Sequence, residues 1–351
     1  MNKRIQQVLA SLKKQKIDAA FFSSAPAVSY LTGYKSRDSY LLVSRQQQLY
    51  MTDSRYTAEA RQHLKGFTVE QVRESGLSSL ALTCARLKFK TLGFENRSLS
   101  YADYQRMKEK LPPDLVVTGI SGVVEQLRQI KSPAELRIIR QATRITLEAY
   151  SYIKQFIRPG IREIELAGEL ERFIRYHGAA CASFDIIVAS GPNSSFPHHL
   201  TSARRVEADE PVMIDMGVEV DGYKSDLTRV FFSGKIKTLA NRLYSVVLTA
   251  QQKAIARVKP GVALQDIDQA ARHYLDSRGV GKYFLHSLGH GVGLEVHEQP
   301  YVNCRARGVL KPGMVFTVEP AVYLPGKFGI RIEDMVVVTR KGCEVISGSV
   351  N

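Results

Sequence analysis

The chain has 351 residues, of which 44% are hydrophobic and 24% are charged, which is ordinary for a globular protein with about two domains. It contains no apolar run of about 20 residues, so no transmembrane helix is expected. The net charge of +15 is spread thinly along the chain and is not interleaved with aromatic residues, so a basic surface is predicted rather than a nucleic-acid site.

Residues 1–125 alternate helical and strand patterns, which predicts a first domain of the α/β type. The predicted elements include a helix over residues 2–16, strands at Ala19–Phe22 and Thr91–Phe94, a helix at Ala102–Lys110 and a strand at Leu115–Val117. The domain has no glycine-rich nucleotide motif, so a supporting or substrate-gating role is expected. No signal peptide is recognised, and the four scattered cysteines form no CxxC, which predicts reduced thiols in a cytoplasmic protein.

A second domain is predicted over residues 126–351, and its first helix has a clear beginning. Ser132 suits the N-cap, Pro133 the first helical position and Glu135 the third, which together form a capping box. The apolar periodicity continues through Tyr150, and the helix is expected to end before Pro159.

The second domain contains a weak internal repeat. The segment RPGIREIELAGELERFIRYHG from Arg158 resembles KPGVALQDIDQAARHYLDSRG from Lys259, and each is followed by a histidine-containing segment and two strands that carry acids. Asp215 and Asp226 in the first half therefore correspond to Glu319 and Glu333 in the second. A duplicated half, folded about a pseudo-two-fold axis, would bring both acid pairs to one centre.

The segment PVMIDMGVEVDGYKSDLTRVFF, residues 211–232, is predicted to be a β-hairpin with its turn at Asp221-Gly222. In that register Gly217 faces Asp226, and Asp215 and Asp226 project from one face as diagonal neighbours. Two close carboxylates among apolar strands repel each other unless a cation or proton lies between them. A pair of metal ligands is therefore favoured over two solvated aspartates, and Gly217 is expected to leave open space in front of Asp226.

The second half supplies three histidines and two further acids. His286, His290 and His297 are spaced as on a helix, but the glycines around His290 favour a close-packed loop or turn instead. Glu319 is expected to close the strand Met314–Val318, and Glu333 to lie inside the strand Gly329–Val338. Asp334 would point to the other face, where it would be solvated or paired with a base.

Four carboxylates and one histidine form an oxygen-rich ligand set. Such a set suits a pair of divalent ions such as Mn, Co or Fe, and it is less typical of a structural zinc site, which is built from Cys and His. Two such ions about 3.5–4 Å apart can hold a bridging hydroxide and polarise a carbonyl, an arrangement that suits amide hydrolysis near neutral pH.

The ordered series Asp215-x-Gly, Asp226-Leu-Thr-Arg, Gly-His290-Gly-Val-Gly-Leu, Thr-Val-Glu319-Pro and Arg-Ile-Glu333-Asp resembles the pita-bread metallopeptidases, and most of all their Xaa-Pro aminopeptidase and prolidase branch. The resemblance is strong from Lys131 to the last residue and weaker before it, where Tyr30-Leu-Thr-Gly is similar to the creatinase-like domain. It implies an α+β fold with a C-terminal pita-bread catalytic domain and a smaller α/β creatinase-like N-terminal domain. Arg162 departs from the Thr that is common there, which changes a helix cap and not the chemistry.

The resemblance also implies a role for each site residue. Asp226 and Glu333 would bridge two metal ions, Asp215 would complete one site, and His290 and Glu319 the other, with Glu319 also moving a proton. His198 and His297 would be catalytic histidines on the substrate side. His286 and Arg331 are candidate substrate-binding or supporting residues, with ordinary packing as the alternative, and the role of His199 stays open because many members have Gly there.

The implied function is an Xaa-Pro aminopeptidase, with an Xaa-Pro dipeptidase (prolidase) restricted to dipeptides as the alternative. Manganese is the first choice of metal, with cobalt, iron or zinc possible, and a homodimer in the cytoplasm is expected. Two other classes are weaker: a metal-independent creatinase-like C–N hydrolase, and a non-catalytic basic binding module. Methionine aminopeptidases share the ligand set but usually lack the additional domain.

Overall fold

The structure is a computed structural model that describes residues 2–72 and 76–348 of the chain. Internal contacts divide the chain into two units, residues 1–128 and 129–351. The boundary predicted between residues 125 and 126 would lie inside the helix Val123–Arg128. No helix among the described residues combines the length and apolar character that crossing a membrane requires.

The first unit is a mixed sheet with helices packed against it, as the α/β pattern predicts. The helices are α1 (Lys3–Lys14), α2 (Ala25–Thr32), α3 (Ser54–His63), α4 (Leu77–Leu87), α5 (Tyr101–Lys110) and α6 (Val123–Arg128), and the strands are β1 (Ala19–Phe22), β2 (Ser39–Ser44), β3 (Gln48–Thr52), β4 (Thr68–Gln71), β5 (Thr91–Glu95) and β6 (Val116–Ile120). Within the described residues these strands form a sheet in the order β4-β3-β2-β1-β5-β6, in which β1–β5, β5–β6 and β3–β4 are parallel pairs. The bounds of β1 agree with the prediction, and α1 buries the apolar stripe Ile5, Val8 and Leu12.

The second unit carries longer helices around several small sheets. Its helices are α7 (Pro133–Ile153), α8 (Glu163–Tyr176), α9 (Thr238–Ile255) and α10 (Leu264–Ser277). Its strands are β7 (Cys181–Ala182), β8 (Ile187–Ser190), β9 (Pro211–Met216), β10 (Val218–Val220), β11 (Tyr223–Lys224), β12 (Leu227–Phe232), β13 (Gly289–Gly291), β14 (Glu298–Val302), β15 (Val315–Val318), β16 (Ala321–Leu324), β17 (Phe328–Arg331), β18 (Asp334–Val338) and β19 (Cys343–Val345). Within the described residues these strands pair in the orders β11-β10-β7, β12-β9-β8, β14-β13-β15-β18-β19 and β16-β17.

Local sequence signals account for the helix ends and for the repeat. The predicted capping box is present, because Ser132 Oγ accepts a hydrogen bond from Glu135 N while the Glu135 carboxylate accepts one from Ser132 N. The two repeat segments form α8 and α10, which have 14 residues each. Both helices pack an apolar face into the core of the second unit, in two adjoining clusters of buried side chains.

The hairpin has the predicted register, but it lacks the open space that was predicted at Gly217. Asp221 and Gly222 have φ of 47° and 82°, as a type I′ turn requires, and Asp215 pairs with Thr228 across β9 and β12. The strands break at Gly217, where a Cβ would lie 1.7 Å from the carbonyl oxygen of Ser225. The expectation of open space at Gly217 is therefore wrong, because the Ser225 backbone fills it and carries the chain across to Asp226.

Two predictions about the second half are also decided. His290 is not in a helix, as predicted, but the loop or turn predicted around it is wrong, because His290 lies in the short strand β13. The single strand predicted over Gly329–Val338 is wrong, because the chain leaves β17 at Arg331 and starts β18 at Asp334, with Glu333 in the break. Asp334 is paired with a base as predicted, with 2.7 Å between its Oδ1 and Arg229 Nη2.

Candidate metal centre

A cavity of about 430 Å³ in the second unit brings the predicted site residues together. All nine line it: His198, Asp215, Asp226, His286, His290, His297, Glu319, Arg331 and Glu333. The rest of its wall includes the apolar side chains Phe184, Ile187, Val296 and Tyr301. His199 is not in this wall; it lies 3.0 Å from the Glu163 carboxylate behind it.

The four acidic candidate ligands lie near strand ends or in breaks between strands. Asp215 is near the end of β9, Asp226 precedes β12, and Glu319 follows β15. Such positions combine a fixed backbone with a side chain that can point past the edge of the sheet. His290 is brought close to these acids because Gly289 lets β13 approach β15, where a Cβ would lie 1.9 Å from the Thr317 carbonyl oxygen.

Among the described residues, Asp226, His290 and Glu333 form a group that could hold a metal ion. One ligand atom from each lies within 4.8 Å of those from the other two, which is the spacing of groups that share a metal ion. His290 Nε2 is 3.6 Å from Asp226 Oδ2 and 3.3 Å from Glu319 Oε1. Glu319 is thus joined to the cluster through His290.

Asp215 presents an unsatisfied oxygen to the cavity. Its Oδ2 accepts a hydrogen bond of 2.5 Å from Arg331 Nη2, while its buried Oδ1 has no hydrogen-bond partner among the described residues. A buried carboxylate oxygen without a donor costs free energy, and a cation bound to that oxygen would remove the cost. The orphaned oxygen therefore fits a metal ligand.

Electrostatics in the cavity point to the same conclusion. Burial raises the pKa of Asp226 well above its usual range, and the charges of Glu333 and Asp215 raise it further. Burial also raises the pKa of Glu333 well above its usual range, and the charges of Glu319 and Asp215 raise it further. Burial also raises the pKa of Asp215, against the opposing charge of Arg331. Four carboxylates and one guanidinium line this cavity, so divalent cations would supply the missing positive charge.

Glu319 behaves differently from the other acids. Burial would raise its pKa, but the hydrogen bond with His290 and the charges of His290 and His286 outweigh burial and lower the pKa to about 2. Burial likewise opposes protonation of His290, whose pKa is nevertheless raised by its hydrogen bond to Glu319. Glu319 is therefore an ionised carboxylate at neutral pH, able to bind a cation or to accept a proton.

Two of the cavity's histidines, His286 and His297, favour their neutral forms. Burial lowers the pKa of His286, and burial together with His290 lowers the pKa of His297. A neutral imidazole offers one N–H donor and one acceptor, which suits contacts with a peptide substrate. His297 stacks edge-on against His290, with 4.2 Å between ring centroids, and His286 Nε2 is 3.0 Å from the Tyr323 hydroxyl.

Three supporting hydroxyls were missed by the sequence reasoning. Thr228 Oγ1 donates to Glu333 Oε2 at 2.7 Å and accepts from Arg331 Nε at 2.9 Å. Thr317 Oγ1 donates to Glu319 Oε1 at 3.1 Å, and Tyr323 Oη accepts from Arg331 Nη1 at 2.7 Å. Strand alternation was an available signal, since Thr228 lies two residues from Asp226, as Thr317 does from Glu319.

Arg331 is the centre of this supporting network and is 3% exposed. Besides Asp215, Thr228 and Tyr323, it donates from Nη1 to the Pro197 carbonyl oxygen at 3.0 Å. Its guanidinium therefore contacts the candidate ligand Asp215 directly and reaches the candidate ligand Glu333 through Thr228.

Comparisons with known proteins match both parts of the chain. The metallopeptidase family M24 matches residues 137–340, and the creatinase/prolidase N-terminal domain matches residues 4–130. The chain is 35% identical to an Xaa-Pro dipeptidase of Pyrococcus horikoshii over 97% of this chain and 96% of that protein.

Solved structures show the same two-domain fold. An Xaa-Pro dipeptidase from Bacillus anthracis is 37% identical, with a TM-score of 0.95 over 99% of this chain and 97% of the other. An X-Pro aminopeptidase from Thermotoga maritima is 36% identical, with a TM-score of 0.90 over 99% and 98%. These similarities confirm the α+β fold and the pita-bread resemblance inferred from the motifs.

Proposed function

Because the chain belongs to metallopeptidase family M24, we propose that it is an Xaa-Pro aminopeptidase that uses two divalent cations to hydrolyse the bond before proline at peptide N-termini. The observation that supports this most directly is the convergence of Asp215, Asp226, His290, Glu319 and Glu333 on one cavity, with an orphaned oxygen on Asp215. Homologues named as Xaa-Pro dipeptidase and X-Pro aminopeptidase supply the substrate class.

The proposed ligand assignment is the one that the resemblance to the pita-bread metallopeptidases implies. Asp226 and Glu333 would bridge the two cations, Asp215 would complete one site, and His290 and Glu319 the other. Four oxygen donors and one nitrogen donor favour manganese, with cobalt, iron or zinc as alternatives. When bound, the two cations lower the pKa of a water molecule and polarise the scissile carbonyl.

The protein groups then orient the substrate and move protons. Glu319 is ionised at neutral pH and would accept the proton of the attacking water and return it to the leaving nitrogen. His198 and His297 would donate hydrogen bonds to the carbonyl oxygen as negative charge develops on it. His286 and the apolar wall around Phe184 and Ile187 are the proposed contacts for the rest of the substrate.

Proline explains the need for a dedicated enzyme. A peptide bond before proline has no N–H, so a peptidase site that binds such a donor would leave a polar group unpaired. An apolar wall needs no N–H from the substrate, and neutral histidines can either donate or accept a hydrogen bond. This cavity can therefore bind a peptide bond before proline without leaving one of its polar groups unpaired.

A second candidate function is an Xaa-Pro dipeptidase, favoured by the names of the relatives from Pyrococcus horikoshii and Bacillus anthracis. The two functions share the chemistry and differ in how far a substrate extends beyond proline. The aminopeptidase is our proposal for the function. We further propose that the protein is a homodimer and is located in the cytoplasm.

The test is turnover by the manganese-loaded full chain on matched Xaa-Pro and Xaa-Pro-Yaa peptides. Cleavage of both supports the aminopeptidase, and cleavage of the dipeptide alone supports the dipeptidase. Xaa-Ala and Xaa-Ala-Yaa peptides are the controls. Full activity after exhaustive chelation, with no metal in the protein, would support the metal-independent hydrolase instead, and no cleavage of any peptide by metal-loaded protein would overturn the proposal.

Substitution of His297 by alanine separates substrate contacts from metal ligands. We expect His297→Ala to keep both cations but to lose activity on the order of 100-fold, because one donor to the developing oxyanion is removed. Metal content by elemental analysis and kcat/KM measured on the same sample check this. Loss of both cations would show that His297 supports the ligands rather than the substrate.

A further inference from the structure

Glu163 is a fully buried acid outside the cavity, at the first position of α8. Its Oε1 accepts hydrogen bonds from Ser190 N and Ser190 Oγ, both at 2.7 Å, and from Asn193 Nδ2 at 3.0 Å. Its Oε2 accepts from Ser202 Oγ at 2.6 Å and Ser202 N at 3.2 Å, and lies 3.0 Å from His199 Nε2. One carboxylate therefore gathers donors from both ends of the segment 190–202.

That segment carries His198 and has little regular structure of its own beyond the 3₁₀ turn Gly191–Ser195. The two residues that flank His198 are both fixed. The carbonyl oxygen of Pro197 accepts from Arg331 Nη1, and the ring of His199 is held by Glu163. The position of His198 is thus set from two sides, by Arg331 from the metal centre and by Glu163 from behind the segment.

The charge of Glu163 is maintained by these contacts. Burial would raise its pKa, but the hydrogen bonds from Ser202, Ser190 and His199 outweigh burial and lower the pKa. The first turn of a helix also favours an anion. The neighbouring Arg204 donates to Ser190 Oγ and to Glu210, so it contributes to the same arrangement.

We propose that Glu163 is a positioning residue that holds the segment 190–202 so that His198 faces the substrate. This role rests on the proposed function, because it acts through His198 on Xaa-Pro hydrolysis. A buried carboxylate is costly without partners, and a helix N-terminus alone offsets only part of that cost, so the donors of the segment account for a buried acid at this position.

The test variant is Glu163→Gln, which keeps the shape of the side chain. A glutamine amide turns one acceptor oxygen into a donor, so the donors on that side lose their partner. Glu165→Gln is the matched control: Glu165 lies in the same first turn of α8 and is exposed, and it accepts a hydrogen bond from Arg162 N rather than from the segment. Both variants remove the same charge near the same helix N-terminus.

The first readout is hydrogen exchange over residues 190–202 in metal-loaded protein without substrate. Glu163→Gln is expected to speed exchange in this segment and not in the core strands, with the metal content unchanged, and Glu165→Gln is expected to leave the segment as in the wild type. Unchanged exchange in the segment would overturn the inference whatever the substrate is. Because this measurement uses no substrate, it tests the positioning role of Glu163 independently of the proposed peptidase activity.

The second readout is a double-mutant cycle with His198→Ala. Glu163→Gln alone is expected to lower kcat/KM by roughly 10- to 100-fold, since a small misplacement of a catalytic group has effects of this size. In the His198→Ala background the same change is expected to cost less than about 2-fold, because both substitutions act through one side chain. Equal losses in both backgrounds would mean that Glu163 only supports folding, and would overturn the inference.

Should Glu163→Gln fail to fold, Ser202→Ala removes one of the donors without creating a new charge or clash. It is expected to give the same pattern at smaller size, with faster exchange in residues 190–202 and non-additivity with His198→Ala. Additive losses, or exchange like that of the wild type, would count against the role of Glu163.

Discussion

Asp226→Asn is expected to abolish metal-dependent activity while making the chelated protein more stable. Burial and the charges of Glu333 and Asp215 raise the pKa of Asp226, so its ionised form opposes folding when no cation is bound. An asparagine of the same shape removes that repulsion but cannot bridge two cations. We expect activity to fall by at least about 1000-fold and the chelated protein to gain on the order of 1–3 kcal/mol.

The measurement is thermal unfolding with a chelator and with manganese. A change of 1 kcal/mol shifts the midpoint by about 2–4 °C in a domain of this size. With chelator the variant is expected to unfold above the wild type. With manganese at about 1,000 times its Kd the order is expected to reverse, because binding adds about 4.1 kcal/mol to the stability of the protein that binds it, which exceeds the gain of the variant.

The exposed Glu171 on α8 provides the control, since Glu171→Gln removes one negative charge outside the cavity. Glu171→Gln is expected to bind as much metal as the wild type. Unlike Asp226→Asn, it is not expected to unfold above the wild type with chelator or below it with manganese. Glu333→Gln should repeat the result of Asp226→Asn. If either cavity variant bound manganese and turned over as the wild type does, the ligand assignment would be wrong.

The same pair of proteins gives a pH dependence of known sign. A carboxylic acid whose pKa is raised on folding stabilises the folded state below its unfolded pKa, and that stability is lost as the pH rises through the folded pKa. In chelator, the advantage of Asp226→Asn over the wild type is therefore expected to be small near pH 4 and to grow towards pH 8. Urea unfolding at several pH values measures it, and an advantage that shrank as the pH rose would contradict the raised pKa.

Local signals were enough to predict the hairpin and its register. The Asp221-Gly222 turn fixes which residues pair, and the period of two then determines that Asp215 and Asp226 share a face. The capping box at Ser132 is equally local, and its outcome agrees with the prediction. The bounds of such elements depend on neighbours a few residues away, which a sequence displays directly.

Contacts between distant residues could not be predicted in this way. Thr228 and Glu333 are 105 positions apart, and Arg331 and Asp215 are 116 apart, so no periodicity connects them. The break at Glu333 has the same origin, because its backbone N–H donates to the Thr228 carbonyl oxygen at 3.2 Å instead of continuing a strand. Glu163 was missed because its donors lie 27 to 39 positions further along the chain.

Gly217 is where a local interpretation was reasonable and wrong, and it supports a second prediction of large effect. Ser225 presents its carbonyl oxygen directly against Gly217, and Ser183 Oγ donates to that oxygen at 2.9 Å. The close approach lets the chain turn from β11 to β12 with Asp226 at the turn. Any side chain at position 217 therefore collides with backbone, which cannot move aside as a flexible side chain can.

Gly217→Ala is accordingly expected to destabilise the protein by about 3 kcal/mol or more, above the usual cost of overpacking, because its Cβ would lie 1.7 Å from a backbone oxygen. Displacement of Ser225 would move Asp226, so metal content is expected to fall as well. Gly168→Ala in α8 is the matched control, since nothing lies within 4 Å of its added Cβ. Because alanine has a higher helix propensity than glycine, Gly168→Ala should raise the free energy of unfolding by as much as about 1 kcal/mol. Unfolding free energies and metal content of the two variants decide the matter: a Gly217→Ala protein that kept its stability and both cations would mean that the Ser225 crossing does not position Asp226.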